Sequence, residues 1–316
     1  MDFGYHHVSF DDERDRPLLE RLTDRARRLE EAGFAWFSLM DHLWQIPPNG
    51  HRDEPFFDCY TTLPAIAAVT DRMELSGLVT CTHYRNPGLL GKTVATLDHL
   101  SGGRAVLGIG AGWFEEEYDA YGYDFPEPAT RIAQLADAIR LVRAMWTDAS
   151  PVTYVGDHYQ LEDAIVEPKP VRDPHPPILV GGGGEQLTLR VTARHADRWN
   201  VPGRSPDTYA HKLDVLREHC EDVGREYDAI EKTVANTVVV RETTEAAHEA
   251  YEELMDGTAA GPTPRDDYRG AVGTPAEVAA EIGTFADLGV SLFMIKVPKN
   301  DRETIDRFID DVLPHV

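Results

Sequence analysis

The chain has 316 residues and sets 55 Asp and Glu against 31 Lys and Arg, a formal net charge of -24 at pH 7. Such a surface repels nucleic acid phosphates and anionic membranes at ordinary salt, which excludes both as expected partners. No stretch is long and apolar enough to span a membrane, and the N-terminus enters a strand pattern rather than a signal peptide.

The three cysteines, Cys59, Cys81 and Cys220, are far apart and lack metal-ligand spacing. That pattern predicts reduced thiols and a cytoplasmic protein. Only six of the basic residues are lysine, and with the acidic excess this predicts a halophilic protein. Self-repulsion is tolerable there because molar salt shortens the Debye length to about 3 Å. Nothing in the middle of the chain reads as a linker, so residues 1–316 are expected to form one domain.

Short β-rich runs alternate with helical patterns almost from end to end. Phe3 to Phe10 reads as a strand, Leu18 to Ala32 as a helix ended by Gly33, and Trp36 to Met40 as the next strand. Pro64 to Val69 is helical, Met73 to Thr82 a strand, Pro87 to Leu100 a helix opened by Asn86-Pro87, and Ala105 to Ile109 a fourth strand. Ile132 to Trp146 has helical spacing, and Val152 to Tyr159 reads as a hairpin with Gly156-Asp157 at its turn. Strands follow at Ile178 to Val180, Arg198 to Val201, Thr233 to Val240 and Leu292 to Val297, with helices at Gln186 to His195, Asp207 to Val223, Glu245 to Met255 and Pro275 to Leu288. The repeated strand-then-helix order predicts a (β/α)8 barrel, with a doubly wound open sheet as the alternative. The unusual residues favour the barrel, because they fall just after strand C-termini, where barrels build active sites.

Four segments carry candidate chemistry. The run Leu107-Gly108-Ile109-Gly110-Ala111-Gly112 puts a glycine-rich turn directly after a strand, where the backbone can lie against a flat ligand or simply turn sharply. Gly181-Gly182-Gly183-Gly184 repeats that arrangement ahead of a helix, and its amides can hold an anion without a basic side chain. Asp41-His42 follows the second strand; an imidazole at that rim suits proton transfer, with Asp41 as its possible orienter, while a capped loop is the plainer reading. His83 and Arg85 follow the third strand and are equally readable as solvated loop residues.

Taken together these segments resemble the luciferase-like flavin and deazaflavin oxidoreductases over nearly the whole chain. The resemblance is carried by E-E-A-G-F-A-W-F-S-L-M-D-H at 30–42, Y-R-N-P-G-L-L-G-K-T-V-A-T-L-D-H-L-S-G-G-R-A-V-L-G-I-G-A-G-W-F-E-E-E at 84–117, and P-P-I-L-V-G-G-G-G-E at 176–185. Tyr60-Thr61-Thr62-Leu63, Tyr84 to Leu90 and His175-Pro176-Pro177 are similar to the branch that depends on coenzyme F420. The resemblance implies a (β/α)8 barrel with insertion segments, placed at 150–172 or around 256–272, and an oxidoreductase that moves a hydride between a deazaflavin and an organic small-molecule substrate. It also implies a non-proline cis peptide under the ring at Gly77-Leu78, backbone contacts at Gly110, Ala111 and Gly112, a phosphate cradle at Gly181 to Gly184, and Asp41 and His42 beside the redox carbon.

One departure from the F420-dependent sugar-phosphate dehydrogenases stands out. Their proton-transferring glutamate falls where this chain has Trp113, and basic residues for a sugar phosphate are not identifiable, which argues against glucose 6-phosphate. Glu117 resembles a glutamate common in the other branches, and a structural role is open to it. An FMN-dependent monooxygenase is the alternative within the family, and a homodimer is an assembly the resemblance leaves open. Two readings from other classes also stand: a non-catalytic ligand-binding barrel, and a metal-dependent hydrolase drawing on the 13 histidines. The second is disfavoured because His6 and His7, adjacent on a strand, point to opposite faces, and no metal site is expected.

Overall fold

In the computed structural model, which describes residues 1–47, 49–256, 258, 261, 263 and 267–316, eight parallel strands close on themselves. They are β1 (Asp2–His7), β2 (Trp36–Leu39), β3 (Glu74–Gly77), β4 (Ala105–Gly110), β5 (Ile178–Gly181), β6 (Arg198–Pro202), β7 (Glu231–Val240) and β8 (Leu292–Lys296). Each pairs with the next, and β8 returns to β1 with Asp2 opposite Leu292. A closed ring of this kind has no free edge, so the backbone groups of every strand are paired on both sides. This is the (β/α)8 barrel expected from the alternation, and the open-sheet alternative falls with the β1–β8 pairing.

Helices form the outer layer where apolar spacing demands it. Leu18–Glu31 buries Leu22, Ala26 and Leu29 against the barrel wall, with Arg21 and Glu30 buried at its flanks, while Glu20, Asp24 and Arg27 stay exposed. Pro87–Ser101 begins as Asn86-Pro87 predicts: the Asn86 side chain accepts from the Gly88 amide at 2.9 Å, Pro87 needs no partner at the first position, and Gly102 ends the helix at φ 68°.

Inside the ring, period-two alternation sorts the side chains. Phe293 and Ile295 of β8 pack outward into the main core, while Leu292 and Met294 point inward with Trp36, Val106, Leu179 and Ala235 to plug the barrel. The plug closes the barrel's lower part and leaves its C-terminal mouth open.

Three readings need correction. The strand expected over Met73 to Thr82 is two pieces, Glu74–Gly77 and Thr80–Cys81, because the chain steps outward at Leu78-Val79 and rejoins the sheet opposite Ile109 and Gly110. The non-proline cis peptide is Leu78-Val79, not Gly77-Leu78. Gly77 is still in register with Leu39, and the Leu78 amide still donates to the Leu39 carbonyl at 2.8 Å, so regular strand geometry runs one residue further than the resemblance implied.

The added segment in 150–172 is an antiparallel hairpin of Val152–Val155 and Gln160–Ala164, so its second strand starts after Tyr159 rather than ending there. Buried Asp137 pins that turn by accepting from the His158 and Tyr159 amides at 2.7 and 2.9 Å. The other segment, 256–272, lies partly outside the described residues; a strand at Ala271–Gly273 adds to β7. No described helix is long and apolar enough to cross a membrane.

Candidate active site

The open mouth of the barrel holds a cavity of about 520 Å³, within the range of small-molecule and cofactor sites. One wall is made by the ends of β3, β4 and β5: Leu78 and Val79, Gly110 to Gly112, and Gly181 to Gly184. Asp41 and His42 line the side beyond β2, and the other wall carries His6 from β1 and Lys296 from β8. The structure therefore gathers Asp41, His42, Leu78, Gly110, Ala111, Gly112 and Gly181 to Gly184 around one space.

Gly77 is the exception among the expected cofactor-binding residues. It does not line the cavity, and a Cβ built on it would meet the Thr80 hydroxyl and the Cys59 thiol behind the wall.

The glycines of this wall have a packing reason. A Cβ at Gly110 would lie 2.8 Å from a Val79 methyl, and one at Gly181 would lie 2.7 Å from both Val79 methyls. The step at Leu78-Val79 thus pushes Val79 into space that only glycine leaves. Further on, the Gly182 amide donates to Asn200, whereas the Gly183 and Gly184 amides have no acceptor among the described residues. These two unpaired donors lie just ahead of the helix Thr188–His195, an arrangement with which backbone alone can meet an anion.

His42 is held by a residue 75 positions away. Its Nδ1 lies 2.7 Å from a carboxylate oxygen of Glu117, which has no solvent-exposed surface. Glu117 also accepts from the Tyr84 hydroxyl, from the Leu43 amide, and from the Trp44 amide at 3.3 Å. Burial pushes the Glu117 carboxyl up, but these hydrogen bonds, led by His42, outweigh it and hold the group below the usual glutamate range. A carboxylate can only accept, so Nδ1 carries the hydrogen and His42 keeps Nε2 for the cavity.

Sequence reasoning offered Asp41 as the orienter of His42. Asp41 instead accepts from Arg85 at 2.6 Å, and Arg85 reaches Asp58 at 2.6 Å with its other nitrogen. The geometric reason is that Arg85 comes up beside Asp41 from the loop after β3 and occupies it.

Glu117 sits on a helix, Glu115–Tyr121, that the periodicity missed because it is only two turns long. Its signal was the run Glu115-Glu116-Glu117, acidic residues being favoured in a first turn. His83 proves structural: it bonds Tyr118 at 2.9 Å and Gln134 at 2.8 Å behind the cavity.

Lys296 is the site residue with no motif to announce it. Alternation along β8 turns Leu292, Met294 and Lys296 inward in succession, and the third lies above the plug. Burial alone lowers its ammonium to about 8. It bonds no acidic side chain among the described residues, although its side chain keeps some surface toward the cavity. Beside it, His6 bonds Ser38 through Nδ1 at 3.0 Å; burial and then the Lys296 charge lower the imidazole to about 3, so it is neutral at physiological pH.

A family model described as luciferase-like monooxygenase matches residues 1–271. The chain belongs to that family. An F420-dependent glucose-6-phosphate dehydrogenase of Kineococcus radiotolerans is 30% identical, across 93% of this chain and 92% of that protein. Among solved structures, an F420-dependent secondary alcohol dehydrogenase in complex with an F420-acetone adduct superposes with a TM-score of 0.82 at 20% identity, covering 100% of this chain and 98% of that one. The coenzyme F420 dependent tetrahydromethanopterin reductase of Methanopyrus kandleri gives 0.81 at 21% identity, covering 99% of each chain. At those identities the two structures speak for the luciferase-like barrel fold.

Proposed function

We propose that this protein is an F420-dependent oxidoreductase acting on a small organic substrate. The observation that carries the reading is the match of 93% of the chain to a relative named for that cofactor. The cavity supports it: a flat apolar wall at Leu78 and Val79 suits a planar ring, and the unpaired Gly183 and Gly184 amides suit an anionic tail. Leu78, Gly110, Ala111 and Gly112 would hold the ring, and Gly181 to Gly184 the phosphate.

When bound, the deazaflavin supplies a carbon that exchanges a hydride in a two-electron step. The chain's part is to place the substrate against that carbon, exclude water and handle the accompanying proton. His42 is the residue assigned to the proton: Glu117 fixes its ring through Nδ1 and leaves Nε2 toward the cavity, where it can receive or return a proton at the substrate oxygen. Asp41, bound to Arg85, shapes the same rim. Trp113, 56% exposed and 6.1 Å from the His42 ring in an edge-on arrangement, covers the cavity from the solvent side. A tryptophan there has no carboxyl group to carry the proton, which leaves that task to the His42 imidazole.

Titration with F420 and with FMN, followed by fluorescence, tests the reading. Tighter binding of F420 is expected; tighter binding of FMN with oxygen-dependent turnover would select the monooxygenase alternative.

A further inference from the structure

Lys296 has no task in the scheme above. It lines a cavity whose only acidic lining residue among the described residues, Asp41, is already bound to Arg85, and Glu117, the carboxylate that holds His42, is met by four donors. An ammonium enclosed by protein without an acidic partner is costly, and an anionic ligand is what offsets that cost. The chain carries net charge -24 and six lysines, yet places one of them here.

The ring of strands fixes where such an anion would lie. β8 is opposite β4 in the closed order, so Lys296 faces the Leu78, Val79 and Gly110 wall from across the barrel. A planar group against that wall has one face toward the wall and the other toward His42, His6 and Lys296. The far face is the substrate's side. His6 adds a neutral ring whose Nε2 has no partner among the described residues, a second hydrogen-bonding group next to the ammonium.

We propose that Lys296, with His6 beside it, is the specificity-determining anchor for a carboxylate, so that the substrates are organic acids held by their carboxylate at the cavity floor with the reacting carbon beside His42. This rests on the F420 reading for which face of the ring the substrate takes, but the carboxylate site itself does not need the cofactor.

Calorimetric titration of the full chain with hexanoate and with its neutral counterpart hexanamide, each with and without F420, tests it. Hexanoate should bind the wild type about ten-fold or more tighter than hexanamide, the margin of a charge-assisted hydrogen bond. Lys296→Met should erase that preference while leaving hexanamide binding unchanged, and Lys296→Arg should keep it. Lys296→Gln repeats the neutral comparison with a polar side chain, should the methionine variant fold poorly.

Equal affinity of the two ligands for the wild type, or a preference that survives in both neutral variants, overturns the proposal. So does a loss confined to F420 affinity in Lys296→Met, which would assign the lysine to the cofactor. Failure of F420 to bind the wild type, with a lysine-dependent hexanoate preference intact, would sink the cofactor reading and leave the anchor standing.

Discussion

The His42 imidazole and the Glu117 carboxylate meet at 2.7 Å across the rim of the barrel, one from the loop after β2 and the other from the short helix after β4. Because Glu117 is wholly enclosed and also accepts from Tyr84, Leu43 and Trp44, its position is set by more than the histidine, and His42 is oriented against a fixed group. His42→Ala should lower turnover by about 10²–10⁴-fold with F420 affinity nearly unchanged, since the proposed cofactor contacts are mostly backbone. Glu117→Gln keeps the shape but replaces an acceptor-only carboxylate with an amide that no longer fixes the hydrogen on Nδ1, so it should share the loss in turnover. If either variant instead loses cofactor affinity at full turnover, His42 packs under the ring and does not handle the proton.

The same pair makes stability depend on acid. Glu117 in the fold is held below the glutamate reference of 4.5, so the unfolded chain takes up the proton first as pH drops. Stability from this group is therefore complete above the ordinary glutamate range and is lost as pH falls through it toward the folded value. Glu117→Ala should destabilise by about 3 kcal/mol near neutrality, the cost of breaking a buried hydrogen-bonded pair. Urea unfolding of wild type and variant at neutral pH and at pH 3 checks the sign: the gap should narrow in acid, and a gap that is constant or widens would contradict it.

Much of the barrel was legible because strand and helix periods alternate and punctuation residues sit where elements end, as at Asn86-Pro87 and Gly102. The step at Leu78-Val79 was not, since Met73 to Thr82 is uniformly strand-like and only the packing of Val79 against Gly110 and Gly181 divides it. Asp41 and His42 were visible as a dyad after a strand, but their partners were not. Arg85 and Glu117 are supplied by loops that the sequence does not show to be adjacent. Lys296 had a legible signal, a lysine at the inward phase of β8, which a search for motifs alone passes over.

Charge gives a prediction independent of the site. With net charge -24 the folded chain concentrates like charges, and salt screens them more effectively than it weakens the enclosed pairs such as His42 with Glu117. Thermal unfolding in dilute buffer and in molar KCl should show a midpoint raised by several degrees or more. An unchanged or lower midpoint in KCl would remove the inference of a halophilic origin.

The contact between Val79 and Gly181 is a test of whether the glycine wall is there for the ligand alone. A methyl added at Gly181 would lie 2.7 Å from both Val79 methyls, closer than real side-chain carbons come, so something must move. Gly181→Ala should cost about 1–3 kcal/mol, the range of overpacking in a filled space. It should also weaken F420 binding, because the displaced Val79 side chain is part of the flat wall. Val79→Ala in the same chain removes both methyls and makes room for the new one. If the glycine serves the valine, the double variant should recover most of the stability lost in Gly181→Ala, a coupling of the size seen between residues in contact. If instead Gly181 is needed only so that backbone can approach the cofactor, the double variant should recover nothing, and F420 affinity should fall equally with and without Val79.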